Sequence, residues 1–136
     1  MTDPAQTELH YAYRWRIGGV VLALAVLLGA IAPTGTGQGW PYADKLGHVL
    51  AFMTLTLWFA GAYEPRHYTR VALVLLLFGA AIEGVQGTLG YRSAELADWF
   101  ADALGIALGL GVALLGLRHW CRWAERRLFR IAVTGP

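Results

Sequence analysis

Cysteine is nearly absent. Cys121 stands alone in 136 residues, so no internal disulfide can staple the fold and no cysteine-rich metal motif can form. Charge is sparse as well: Asp, Glu, Lys and Arg make up 15% of the chain, the formal net charge is +2, and no polybasic DNA-binding module is visible. No nucleic-acid partner is expected. A long low-complexity linker and a convincing internal repeat are also missing, which leaves one domain over residues 1–136. What is plentiful is apolar surface. A hydrophobic content of 57% and a mean hydropathy of +0.46 point away from an ordinary soluble protein and towards a membrane.

Four apolar runs, 17–32, 46–63, 71–89 and 99–117, approach the ~20 residues that the hydrocarbon core of a bilayer requires. Arg14 and Arg16 ahead of the first run also fit a signal peptide, but the stretch after Ala32 lacks a small-residue cleavage pattern, so this run is read as a span. Nine of the eleven Lys and Arg residues fall before the first run, between the second and third, or after the fourth. The positive-inside rule then puts both termini in the cytoplasm and the 33–43 and 90–97 segments outside, in a multi-pass protein of the cell membrane. Pro33 and the Glu64-Pro65 pair mark helix ends, because proline lacks an amide donor.

After the fourth run, Trp120, Trp123, Ala124, Leu128 and Ile131 recur at helical spacing, with Arg118, Arg122, Glu125, Arg126 and Arg130 around the rest of the circumference. This pattern predicts an amphipathic interfacial helix over 118–131 whose arginines meet anionic headgroups. The expected fold class is an all-α integral membrane protein: a compact four-helix transmembrane bundle with a C-terminal amphipathic interfacial helix.

The polar residues inside the runs carry the chemistry. Asp44 and His48 are four positions apart and share a helix face, Glu83 and Gln86 are three apart, and Asp98 and Asp102 four apart. All three pairs fall at the outer ends of their helices, with His48 and Asp102 each ~6 Å deeper than Asp44 and Asp98. Ionisable groups at such depth must pair or serve a site, and a shared hydrated recess is expected. Gly105-x-x-x-Gly109 would let the fourth helix approach a neighbour closely.

Asp44-Lys45-x-x-His48-x-x-x-Phe52, Glu83-x-x-Gln86, and Arg92 followed by Asp98 and Asp102-x-x-Gly105 span nearly half the chain. In this combination and order the sequence resembles the VanZ-like family of small integral membrane proteins. The resemblance implies a cell-envelope or lipid-related role, best known from glycopeptide antibiotic resistance, especially to teicoplanin. The family pattern carries Asn where this chain has Asp102, a departure that bears on protonation, ion binding or substrate preference.

The resulting expectation is an extracytoplasmic-facing membrane site that recognises, and as an enzyme would process, a phosphorylated lipid or envelope headgroup. In the catalytic version His48, Glu83, Asp98 and Asp102 supply acid, base and orienting groups, while Asp44, Lys45, Gln86 and Arg92 bind substrate. The alternative is a non-catalytic lipid-binding or glycopeptide-antibiotic-shielding membrane protein. Each residue also has a structural reading: Asp44 as a helix-end acid, Gln86 as an interhelical hydrogen bonder, Lys45, Arg92 and Asp98 as mutual neutralisation, and Glu95 as a surface acid. The cofactor is not determined; a divalent cation on His48, Glu83, Asp98 and Asp102 is the candidate. The expected partner is a membrane lipid or a lipid-linked envelope precursor, with a homodimer as the candidate assembly.

Overall fold

The computed structural model describes residues 9–33, 42–91 and 94–128. Five α-helices follow in order: α1 (Ala12–Ile31), α2 (Ala43–Ala62), α3 (Tyr68–Gln86), α4 (Leu96–Leu114) and α5 (Trp120–Leu128). Short 3-10 turns at Pro65–His67 and Leu117–His119 precede α3 and α5. The first four helices are long and apolar enough to cross a bilayer, and the protein is a four-helix membrane bundle with a distinct C-terminal helix. Each membrane helix begins a few residues ahead of its apolar run, so the polar first turns of α2 and α4, with Asp44, Lys45 and Asp98, are helical.

The core is narrow. Phe52 and Leu55 of α2, Leu75 and Ile82 of α3, and Ile106 of α4 form its buried centre. Leucines such as Leu28, Leu50, Leu77 and Leu104 point outward and are more than half exposed. An apolar exterior of this kind matches lipid rather than water. Within α1 only Gly19 is buried, so this helix leans on the bundle instead of entering it.

α2 and α4 share the most extensive contact among the helices. Its cause is the pair of glycines anticipated from the sequence. A Cβ on Gly105 would strike the Val49 carbonyl oxygen, and one on Gly109 would lie 2.7 Å from Thr56 Cβ and 2.9 Å from the Met53 carbonyl oxygen. Thr56 is fully buried there and donates its hydroxyl to the Phe52 carbonyl at 2.7 Å, so this hydroxyl is satisfied within its own helix. At the far end of α4, Gly116 adopts φ +139°, a conformation that would strain any side chain, and the chain turns towards α5.

α5 is the distinct C-terminal helix expected from the sequence, and it departs from the expected division at Glu125. Cys121, Ala124 and Glu125 are its buried residues, while Trp123 and Leu128 of the apolar face point away from the bundle at 62% and 70% exposure. Ile131 and Arg130 lie outside the described residues. Glu125, expected on the polar circumference, is buried instead. Its carboxylate accepts the backbone N–H groups of His10 and Tyr11 at 3.0 Å each and the Trp15 indole N–H at 2.8 Å. It thereby caps the start of α1, where no residue of that helix supplies a side-chain cap. The Trp15, Trp58 and Trp120 rings pack together with centroids 5.1 to 5.7 Å apart, and the Trp58 and Trp120 indoles donate to the Trp15 and Leu57 carbonyls. Burial pushes the Cys121 thiol up to about 12, with the Glu125 charge acting in the same direction. Cys121 is thus an inert packing residue.

Two outcomes follow from these contacts. Gly105→Leu should lower the detergent melting stability by about 1–3 kcal/mol or more, since overpacking must force the α2 and α4 backbones apart; Gly111→Leu, where a Cβ meets nothing within 4 Å, serves as the tolerated control. Glu125→Ala leaves the α1 amides and the Trp15 indole without their acceptor. Truncating the acceptor of charge-assisted bonds of this kind costs about 1.5–3 kcal/mol, and thermal unfolding against Glu64→Ala checks it.

Candidate functional site

The polar residues gather at the end of the bundle where α2 and α4 begin and α3 finishes. His48, one turn into α2, meets Asp102 across the glycine seam, with Nδ1 2.7 Å from the Asp102 Oδ1 atom. Both are shielded, at 8% and 0% exposure. A carboxylate accepting the Nδ1 proton fixes the tautomer and leaves Nε2 as the ring nitrogen with a lone pair. The second Asp102 oxygen, Oδ2, is buried without a hydrogen-bond partner and lies against α3 at Gly79, where a Cβ would overlap it. Gly79 was not singled out in the sequence, although it sits four residues before Glu83 on the same helix face.

A second chain of contacts runs beside the first. Lys45 donates to Glu95 Oε2 at 2.7 Å and to Asp98 Oδ1 at 3.1 Å, so its ammonium is held between an exposed and a buried carboxylate. Glu83 Oε2 accepts the backbone N–H of Glu95 at 2.8 Å, which joins the end of α3 to the start of α4. Glu95 is therefore more than a surface acid: its side chain holds Lys45 while its backbone holds Glu83. Gln86, 2% exposed, donates its amide to the Ala30 carbonyl at 3.0 Å and ties α3 to α1. Glu83 Oε1 and Gln86 Oε1 are buried without partners.

These groups are brought together but do not all face one recess. Asp44 and His48 line a cavity of about 300 Å³ between α1, α2 and α3, whose deeper wall is Val26, Ala51, Phe52 and Ile82. Glu83 and Glu95 line another, of about 410 Å³, beside Leu96 and Trp99. Asp102 is sealed between helices and orients His48. Arg92, expected to meet phosphate, lies outside the described residues.

One donor atom each from Asp44, His48 and Asp98 lies within 4.8 Å of the other two. This trio could hold a cation, and its nitrogen and oxygen donors suit zinc or manganese better than an all-oxygen metal. It differs from the set drawn from the sequence: Asp44 replaces Glu83, which bonds the α4 amide, and Asp102 stands behind His48 in the outer position that orients a metal-binding imidazole. Lys45 already neutralises Asp98, so an incoming cation competes with an ammonium.

No solved structure matches this chain. Among curated proteins, an uncharacterised protein of the fission yeast Schizosaccharomyces pombe is 29% identical over 129 residues, covering 92% of this chain and 75% of the relative. The family model described as VanZ/LLP1 matches residues 7–117, which takes in the four membrane helices and every polar contact at their shared end. The chain belongs to the VanZ/LLP1 family.

Proposed function

We propose that this protein binds, without chemically altering it, the polar headgroup of a membrane lipid or lipid-linked envelope precursor at the His48 end of the bundle. The observation that carries the reading is the amphiphilic cavity between α1, α2 and α3: Asp44 and His48 at its polar end, and Val26, Ala51, Phe52 and Ile82 along its depth. A headgroup meets the former and the root of an acyl chain meets the latter. The arginine distribution supports an extracytoplasmic orientation for this end.

Binding is favoured over catalysis by what the recess offers. Among the described residues its lining supplies one imidazole and one carboxylate, with no hydroxyl or thiol beside His48 to serve as a nucleophile. Charge narrows the ligand further. Lys45 is engaged by Glu95 and Asp98, so the described groups open to a ligand are mainly acidic. An ammonium-bearing headgroup fits them directly, and a phosphate fits through a divalent cation on Asp44, His48 and Asp98, with Arg92 as a second contact. Shielding against glycopeptide antibiotics follows where the bound headgroup belongs to the precursor that such drugs recognise.

Lipid-resolved mass spectrometry of the purified protein tests this. Wild type should retain membrane lipids of unchanged mass, while Asp44→Asn and His48→Ala should lower retention roughly tenfold, in line with loss of one charge-assisted contact. Conversion of the lipid by wild type alone would establish an enzyme instead, and retention unaffected by both substitutions would remove the site. Washing with chelator separates the two headgroup chemistries, since only the cation-bridged phosphate is released. Orientation is checked by labelling single cysteines from outside intact cells in a Cys121→Ser background: Gly35→Cys and Arg92→Cys should react and Arg66→Cys should not.

A further inference from the structure

We propose a second lipid site at the opposite end of the bundle: a groove between α1, α2 and α3 that holds the phosphate of an anionic phospholipid, its acyl chain lying along α3. A cavity of about 420 Å³ opens there, with Arg16, Tyr63, His67 and Arg70 among its polar lining and Phe59 and Val74 on its apolar wall. These residues come from separate elements. Arg16 is one turn into α1, Tyr63 ends α2, His67 sits on the 3-10 turn and Arg70 is in the first turn of α3. Both guanidinium groups consequently lie at the level where helix ends meet headgroups.

Three observations indicate the chemistry of the occupant. Among the described residues neither Arg16 nor Arg70 has an ion pair, and Glu64, the acid on the adjoining turn, is held by Arg66 at 3.1 Å. Arg16 is fixed over the Tyr63 ring, 4.7 Å from its centroid, so one of the two cations is already positioned. The His67 Nδ1 atom is buried with no hydrogen-bond partner. Two uncompensated guanidinium groups beside an apolar wall complement an anionic headgroup with an attached chain; a zwitterionic headgroup would bring its own ammonium to the same cations. Val74, 64% exposed, continues the wall outward to where the chain would run. This groove is separate from the His48 recess in position and opposite to it in charge.

Native mass spectrometry with phosphatidylglycerol or phosphatidylcholine added to the purified, detergent-solubilised chain tests the assignment. Wild type should retain phosphatidylglycerol in preference to phosphatidylcholine. Arg70→Gln, which removes a side chain with no ion pair among the described residues, should reduce that retention roughly threefold, and R16Q/R70Q roughly tenfold. Arg14→Gln is the charge-matched control and should leave retention unchanged, because Arg14 stacks on Tyr11 away from this groove. Loss of retention in Arg14→Gln equal to that in Arg70→Gln would reduce the effect to net charge and overturn the site. So would a wild type indifferent to the two lipids, or undiminished retention by Arg70→Gln. Because Arg70→Gln disturbs no ion pair among the described residues, it decides the matter even where the double variant unfolds.

Discussion

The approach of α2 to α4 is the constraint on which the rest of the molecule depends. Gly105 and Gly109 remove the side chains that would otherwise lie between the backbones, and the Val49 and Met53 carbonyls and Thr56 occupy the space instead. One turn before Gly105, Asp102 is thereby carried within 2.7 Å of the His48 imidazole. A buried carboxylate and imidazole are each expensive to remove from water, and a partner held at hydrogen-bond distance is what makes their burial tolerable. A larger residue at the seam would push the helices apart and break the pair with them. Packing of the small residues and chemistry of the polar ones are one feature here.

Once that pair is set, the neighbouring charges arrange themselves to limit exposure of like groups to one another. Asp98 lies one turn before Asp102, and its carboxylate is met by Lys45 from α2, again across the seam. Lys45 reaches Glu95 as well, and the Glu95 backbone closes on Glu83. The four helix ends are thus joined by polar contacts just where apolar packing thins out, with Gln86 extending the network to α1 through Ala30. Asp44 and His48 remain as the groups that open into the recess shared with apolar side chains. The mouth of this recess thus carries an acidic and an imidazole group above an apolar wall.

Much of this was legible in the sequence for a specific physical reason. Hydropathy reports spans because lipid forbids unsatisfied backbone polar groups, and i, i+4 spacing places Asp44 with His48 and Asp98 with Asp102 whatever the tertiary arrangement. The small pair in Gly105-x-x-x-Gly109 was readable, but not the helix it would meet. Partnership is what spacing leaves open. Lys45 had equal claim on a ligand phosphate and on an internal acid, and only the α2–α4 register selects Glu95 and Asp98. Glu125 was misplaced because helical periodicity treats every carboxylate as polar surface, whereas the orphan amides at the start of α1, more than a hundred residues away in sequence, supply a buried site for it. The same distance hid the packing of Trp15, Trp58 and Trp120.

The two ends of the bundle differ in what they leave unsatisfied. At the His48 end carboxylates outnumber the cations that the described residues supply, and the remaining polar atoms of Glu83, Gln86 and Asp102 are buried. At the other end Arg16 and Arg70 lack acidic partners among the described residues, while Glu125, the nearby buried acid, is taken up by the amides of α1. The described residues of so thin a bundle leave both ends incompletely neutralised, because each helix presents only a narrow stripe to its neighbours. The charge that the described residues leave over at each end favours counter-charge from the membrane or from solution. In a four-helix protein with α1 leaning on the bundle's side, the grooves beside α1 are where that counter-charge can enter together with an apolar tail.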